Sequence, residues 1–137
     1  MLETLIKRRI LKHYFNLSRF GLGLALITIT ILALLPIDQA PLPKISDKIQ
    51  HLTAFFTLAF LLDCSFPKSS FQFPKILTLA GYGLLIEMLQ WFSGYRFFSL
   101  LDVVADLSGV VIYIALIPIL RKIPLVKWRW ELAENSN

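Results

Sequence analysis

Eight polar residues stand at helical spacings in otherwise apolar stretches, and their types suit ion binding, proton transfer and phosphate recognition. Asp47-Lys48-x-x-His51 sets a carboxylate and an imidazole four positions apart, on one face of a helix. Glu87-x-x-Gln90 sets an acid and an amide three apart, and Arg96 follows in a short polar stretch. Ser99-x-x-Asp102-x-x-x-Asp106 then places two more acids one turn from each other. Three schemes satisfy such a set. In the first, His51 and Arg96 neutralise the acids and Gln90 bridges them. In the second, Glu87, Asp102, Asp106 and His51 hold a divalent cation, an oxygen-rich set suited to magnesium, calcium or manganese. With His51 as acid or base, such an ion supports chemistry at a lipid phosphate. In the third, Lys48, Arg96 and protonated His51 bind the phosphate of an anionic headgroup. A nucleophile elbow is absent from the sequence, and the single Cys64 forms neither an internal disulfide nor a zinc framework.

The elements that must position these residues follow from composition. The chain has 137 residues, 56% of them hydrophobic and 17% charged, which leaves too little polar surface for a water-soluble domain. One domain is expected. The net charge of +5 is crowded at the two ends, flanking apolar runs, with no basic face interleaved by aromatics. That distribution fits membrane orientation and anionic lipid, and it argues against nucleic acid.

Residues 1–19 carry Lys7, Arg8, Arg9, Lys12 and Arg19 against Glu3, with Leu2, Ile6, Ile10, Tyr14 and Leu17 at helical spacing. They predict a short amphipathic helix on the membrane surface. A first span runs from about Phe20 to Leu35, ended by Pro36. A secretory signal is the rival reading, but the basic lead is long and Asp38-Gln39-Ala40 is a poor cleavage site. After a loop containing Pro41, Pro43 and Lys44, Ser46 is a candidate N-cap for a second helix, Asp47 to Cys64. Pro67 to Ser70 form a polar turn, and Pro74 opens a third helix reaching Phe92. Ser99 and Asp102 have capping-box spacing at the start of a fourth helix, which Arg121 and Lys122 stop. In the tail, Lys127, Trp128, Arg129 and Trp130 read as an interfacial anchor. The expected fold is an all-α, four-helix transmembrane bundle (20–120), with the amphipathic segment before it and a basic tail (121–137) after it.

The charge bias predicts both termini in the cytoplasm. Helices two and four then begin on the outside and helix three ends there. Asp47, Lys48, His51, Glu87, Gln90, Arg96, Asp102 and Asp106 consequently return to one depth. Carboxylates within spans cost roughly 2.5–3.5 kcal/mol each and face a bundle interior or water. Ala80 and Gly83 continue the Glu87 stripe, and Gly109 and Tyr113 the Asp106 stripe, so small residues mark these faces for helix packing. Gln90 is expected to bond between helices, and Asp102 also suits a helix start on its own. Trp91, Tyr95, Phe97 and Phe98 read as an outer aromatic belt.

In order and spacing over residues 35–115, the combined pattern resembles the VanZ-like family of small bacterial membrane proteins. It comprises Asp47-Lys48-x-x-His51, Glu87-x-x-Gln90 and Arg96-x-x-Ser99-x-x-Asp102-x-x-x-Asp106-x-x-Gly109. At Asp106 the family pattern usually has Asn, and an extra acid there either adds a metal ligand or is protonated. The family is named for a component linked to resistance against the glycopeptide teicoplanin. The resemblance therefore implies the bacterial cytoplasmic membrane and cell-envelope biology, and no particular reaction. An envelope lipid or lipid-linked precursor is the partner this reading favours; a structural or partner-binding role is the alternative.

Overall fold

The computed structural model describes residues 1–36, 46–94 and 96–134. The 38–40 stretch, Pro41, Pro43, Lys44 and Tyr95 lie outside them. Every element among the described residues is a helix: α1 (Leu2–Leu34), α2 (Asp47–Ser65), α3 (Phe73–Phe92), α4 (Leu100–Leu120) and a short α5 (Trp128–Glu134).

The surface helix and the first span, expected as separate elements meeting near Phe20, are one continuous helix of 33 residues. No proline interrupts it, and Gly21 and Gly23 each cost only about 1 kcal/mol against the hydrogen-bonded ladder. At 1.5 Å per residue α1 is about 50 Å long, well beyond a hydrocarbon layer of about 30 Å. Its basic first turns therefore extend past the apolar part. The helix ends where expected, because Leu35 takes the extended conformation favoured before a proline.

The distribution of side chains is inverted relative to a soluble domain. Leu84, Leu85, Val111 and Ile112 are exposed, whereas Asp63, Glu87, Asp106 and Arg129 are almost completely buried. Each buried charge finds partners inside, and exposed apolar groups of this kind lose nothing where hydrocarbon rather than water surrounds them. Two segments, Arg8–Leu34 of α1 and all of α4, are long and apolar enough to cross a membrane. α2 and α3 are of similar length and carry most of the buried polar residues.

α2 is the central helix and packs against α1, α3 and α4. Phe55, Leu58, Ala59, Leu79, Val110 and Tyr113 form the apolar core. The closest approach is between α2 and α4, where a Cβ at Gly109 would overlap the backbone of Leu52 and Phe56. Only a glycine lets the two helices meet backbone to backbone there. Chain direction alternates through α1 to α4. The end of α1, the start of α2, the end of α3 and the start of α4 consequently share one end of the bundle.

The tail departs from expectation. Arg129 is not an interfacial anchor: it is 1% exposed and reaches into the opposite end of the bundle. There it donates to Asp63 Oδ1 at 2.6 Å and to the carbonyls of Pro67 and Ser69, both at 2.7 Å. Lys75 is likewise internal, 2.8 Å from Asp63 Oδ1. The reason is the same in each case. Asp63 is a buried carboxylate that only inward-turned cations can compensate.

Candidate functional site

At the shared end, three ion pairs join elements distant in sequence. Lys48 Nζ donates to Asp102 Oδ1 at 2.8 Å, tying the first turn of α2 to that of α4. One turn deeper, His51 Nδ1 lies 2.9 Å from Asp106 Oδ1, repeating the α2–α4 connection. Arg96 Nη2 donates to Asp47 Oδ1 at 3.0 Å, fastening the α3–α4 loop to the start of α2. Helical spacing explains the ladder. Lys48 and His51, three apart on α2, and Asp102 and Asp106, four apart on α4, each advance by about one turn.

Glu87 and Gln90 complete the set from α3. Glu87 Oε2 accepts the backbone N–H of Ser99 at 2.9 Å, and Gln90 Nε2 donates to the carbonyl of Ala33 on α1 at 3.1 Å. The expected capping box is thus not formed. Ser99 occupies the N-cap position without a side-chain cap bond, and its N–H goes to Glu87 rather than to Asp102. Asp102 is drawn instead to Lys48. Ser46 also caps α2 by position only, its carbonyl receiving the N–H groups of Ile49 and Gln50.

All eight expected residues therefore lie at one end of the bundle and engage one another or adjacent backbone. Four carboxylates face two permanent cations and one imidazole. Glu87 Oε1 and Asp106 Oδ2 are buried without a hydrogen-bond partner. Gly83 makes room for the latter, since a Cβ there would stand 2.8 Å from Asp106 Oδ2. The unmatched oxygens give the deep part of the niche acceptor character.

The metal set anticipated from sequence, His51, Glu87, Asp102 and Asp106, is not the one the geometry offers. Asp47, His51 and Asp102 each present a ligand atom, all within 4.8 Å of one another. Glu87 and Asp106 are not part of this group, and the shallower Asp47 is its third donor. A carboxylate behind an imidazole is the usual second partner of a metal-binding histidine, so these residues fit a divalent cation chemically. Such an ion would have to displace Lys48 and Arg96 from Asp102 and Asp47.

A cavity of about 550 Å³ adjoins the niche between α1 and α2. Asp47, Gln50, His51, Gln90 and Arg96 line its polar end, and the rest is lined by mostly apolar side chains of α1 and α2 together with Thr28, Thr53 and Thr57. Trp91, Phe97 and Phe98 are exposed around this end.

The second buried cluster was not anticipated from sequence. Asp63 accepts from Lys75, Arg129 and the Tyr113 hydroxyl, the last at 2.6 Å. The available signal was a lone acid inside an apolar run, the same signal that marked Glu87.

The VanZ/LLP1 family model matches residues 5–121, from the first turns of α1 to the end of α4. The chain belongs to the VanZ/LLP1 family. The match includes the whole of the first membrane-spanning candidate, beyond the motif-bearing stretch that carried the resemblance. In this VanZ-family chain the acid at Asp106 is accommodated by its bond to His51. No curated protein and no solved structure matches the chain.

Proposed function

We propose that this VanZ-family protein is a multi-pass protein of the cytoplasmic membrane that recognises or shields a cell-envelope lipid, or lipid-linked precursor, by its headgroup. Both termini lie in the cytoplasm in this reading, so the niche sits under the outer headgroups. The observation that carries the proposal is the gathering of Asp47, Lys48, His51, Arg96 and Asp102 beside a cavity with apolar walls. Lys48 and Asp47 are partly exposed, with side-chain accessibilities of 48% and 40%, and meet a ligand first. Behind them the His51–Asp106 bond joins α2 to α4 and Glu87 holds the N–H of Ser99, while Asp102 and Asp47 hold the cations in position. Arg96 and Lys48 supply donors to a phosphate, and the acids set its orientation.

Glu87→Gln and Arg96→Gln test the reading. Both variants insert normally and lose any protection the wild type confers in glycopeptide or envelope-stress assays of the host. Wild-type behaviour of both would remove the basis for the proposal.

A second reading, a metal-dependent enzyme at a lipid phosphate, is favoured by the Asp47, His51 and Asp102 donor set. Purified protein that shows neither bound metal nor a thermal shift with magnesium or manganese would exclude it.

A further inference from the structure

The cavity beside the niche has the form of an amphiphile. Leu24, Thr28 and Leu32 of α1 face Ile49, Thr53 and Thr57 of α2 along its length. Two of the threonines are polar in name only. Thr53 donates its hydroxyl to the Ile49 carbonyl at 2.7 Å and Thr57 to the Thr53 carbonyl at 2.9 Å, so their polar atoms are satisfied within α2. The lining of α1 extends from Gly21 to Ala33, about 18 Å at the helical rise, and that of α2 from Asp47 to Thr57, about 15 Å. One leaflet of a bilayer has a hydrocarbon depth of about 15 Å. The groove is one leaflet deep, and polar at one end.

The charges at that end discriminate between headgroups. Lys48 is held by Asp102, His51 by Asp106, and Glu87 by the N–H of Ser99. The remaining pair at the cavity mouth is Arg96 with Asp47, at 3.0 Å and partly exposed. A simple anion that takes Arg96 strips Asp47 of its partner in a niche already rich in carboxylates. A headgroup carrying both a phosphate and a primary amine exchanges with the pair ion for ion. Its phosphate accepts from Arg96, and its ammonium donates to Asp47.

We infer that the α1–α2 groove and the Asp47–Arg96 pair together bind an aminophospholipid from a single leaflet, its chain along Thr28 and Thr57 and its head at the pair. This rests on the headgroup-recognition reading above and names the ligand class for it.

The test reconstitutes the full chain in phosphatidylcholine nanodiscs with a trace of phosphatidylethanolamine bearing a photoreactive group at the end of one acyl chain. Labelling is expected on α1 near Gly21–Ala25 and on α2 near Thr57. Thr28→Phe, which fills the groove, lowers it, whereas Leu84→Phe on an exposed face of α3 does not. Unlabelled phosphatidylethanolamine competes about tenfold better than phosphatidylglycerol, the factor expected for a charge-assisted hydrogen bond. Asp47→Asn or Arg96→Gln removes that preference. Label spread evenly over the exposed faces of α3 and α4, or unaffected by Thr28→Phe, overturns the groove. Equal competition by phosphatidylglycerol overturns the aminophosphate head. A preference that survives both headgroup substitutions overturns the assignment to this pair. If any of these outcomes arises while Arg96→Gln still abolishes protection in cells, headgroup recognition stands and the inference falls alone.

Discussion

His51 of α2 and Asp106 of α4, fifty-five positions apart, meet through a single 2.9 Å bond between Nδ1 and Oδ1. Both side chains are buried, at 8% and 2% exposure. One proton is shared across this bond; with Asp106 ionised it sits on Nδ1, and Nε2 is then left as donor or ligand.

That relationship predicts a graded response at Asp106. Asp106→Asn keeps an acceptor in the same place and should unfold near the wild-type temperature. Asp106→Ala leaves His51 buried without its partner, at a cost of about 1–3 kcal/mol. Thermal unfolding of the detergent-solubilised protein distinguishes the two, and equal losses in both variants would refute the hydrogen-bond account.

The backbone contact at Gly109 makes a steric prediction. A methyl group there meets the Leu52 carbonyl and the Phe56 amide, which belong to helix backbone and cannot rotate away. Gly109→Ala should therefore destabilise the bundle by about 1–3 kcal/mol, as overpacking does. Gly81→Ala is the control, because nothing lies within 4 Å of its added Cβ. Comparable unfolding temperatures for the two variants would contradict the close packing.

At the other end, Asp63 holds three donors together. Asp63→Ala leaves Lys75 and Arg129 buried without their carboxylate, a loss of about 3–5 kcal/mol. Arg129→Ala is milder, since Lys75 and Tyr113 remain on Asp63, but it releases α5 from the bundle. Limited proteolysis should then cut the 121–127 connection faster in Arg129→Ala than in wild type. An unchanged cleavage rate would show that Arg129 does not secure α5.

Orientation is tested through thiol accessibility. Cys64 is buried, so the native cysteine stays silent toward a membrane-impermeant maleimide on intact cells. Phe97→Cys, at an exposed position beside the niche, should react from outside, and Lys122→Cys should react only after lysis. The reverse pattern would place the niche in the cytoplasm and remove its link to outer-leaflet lipid.

Much of the architecture was legible in the residues themselves. Apolar runs bounded by proline, glycine and charge gave α2, α3 and α4 to within a few positions, because helix formation depends on neighbours along the chain. The i, i+4 spacing of Asp47 with His51, and of Asp102 with Asp106, already required each pair to share a face. Alternating helix direction then required the polar tips to meet at one end. The continuity of α1 was missed because its basic half and its apolar half have different compositions, while the ladder itself does not register that change.

What the tertiary structure alone decided is which partner each charge takes. Arg96 pairs with Asp47, Glu87 holds the N–H of Ser99 in place of a capping box, and Arg129 crosses sixty-six positions to reach Asp63. Spacing along a helix sets the face a side chain occupies, a local matter. The rotation and lateral position of one helix against another are fixed by long-range contacts such as Gly109 on the α2 backbone. A shift of a few ångströms there exchanges every ion pair, and nothing in the linear order of residues records it.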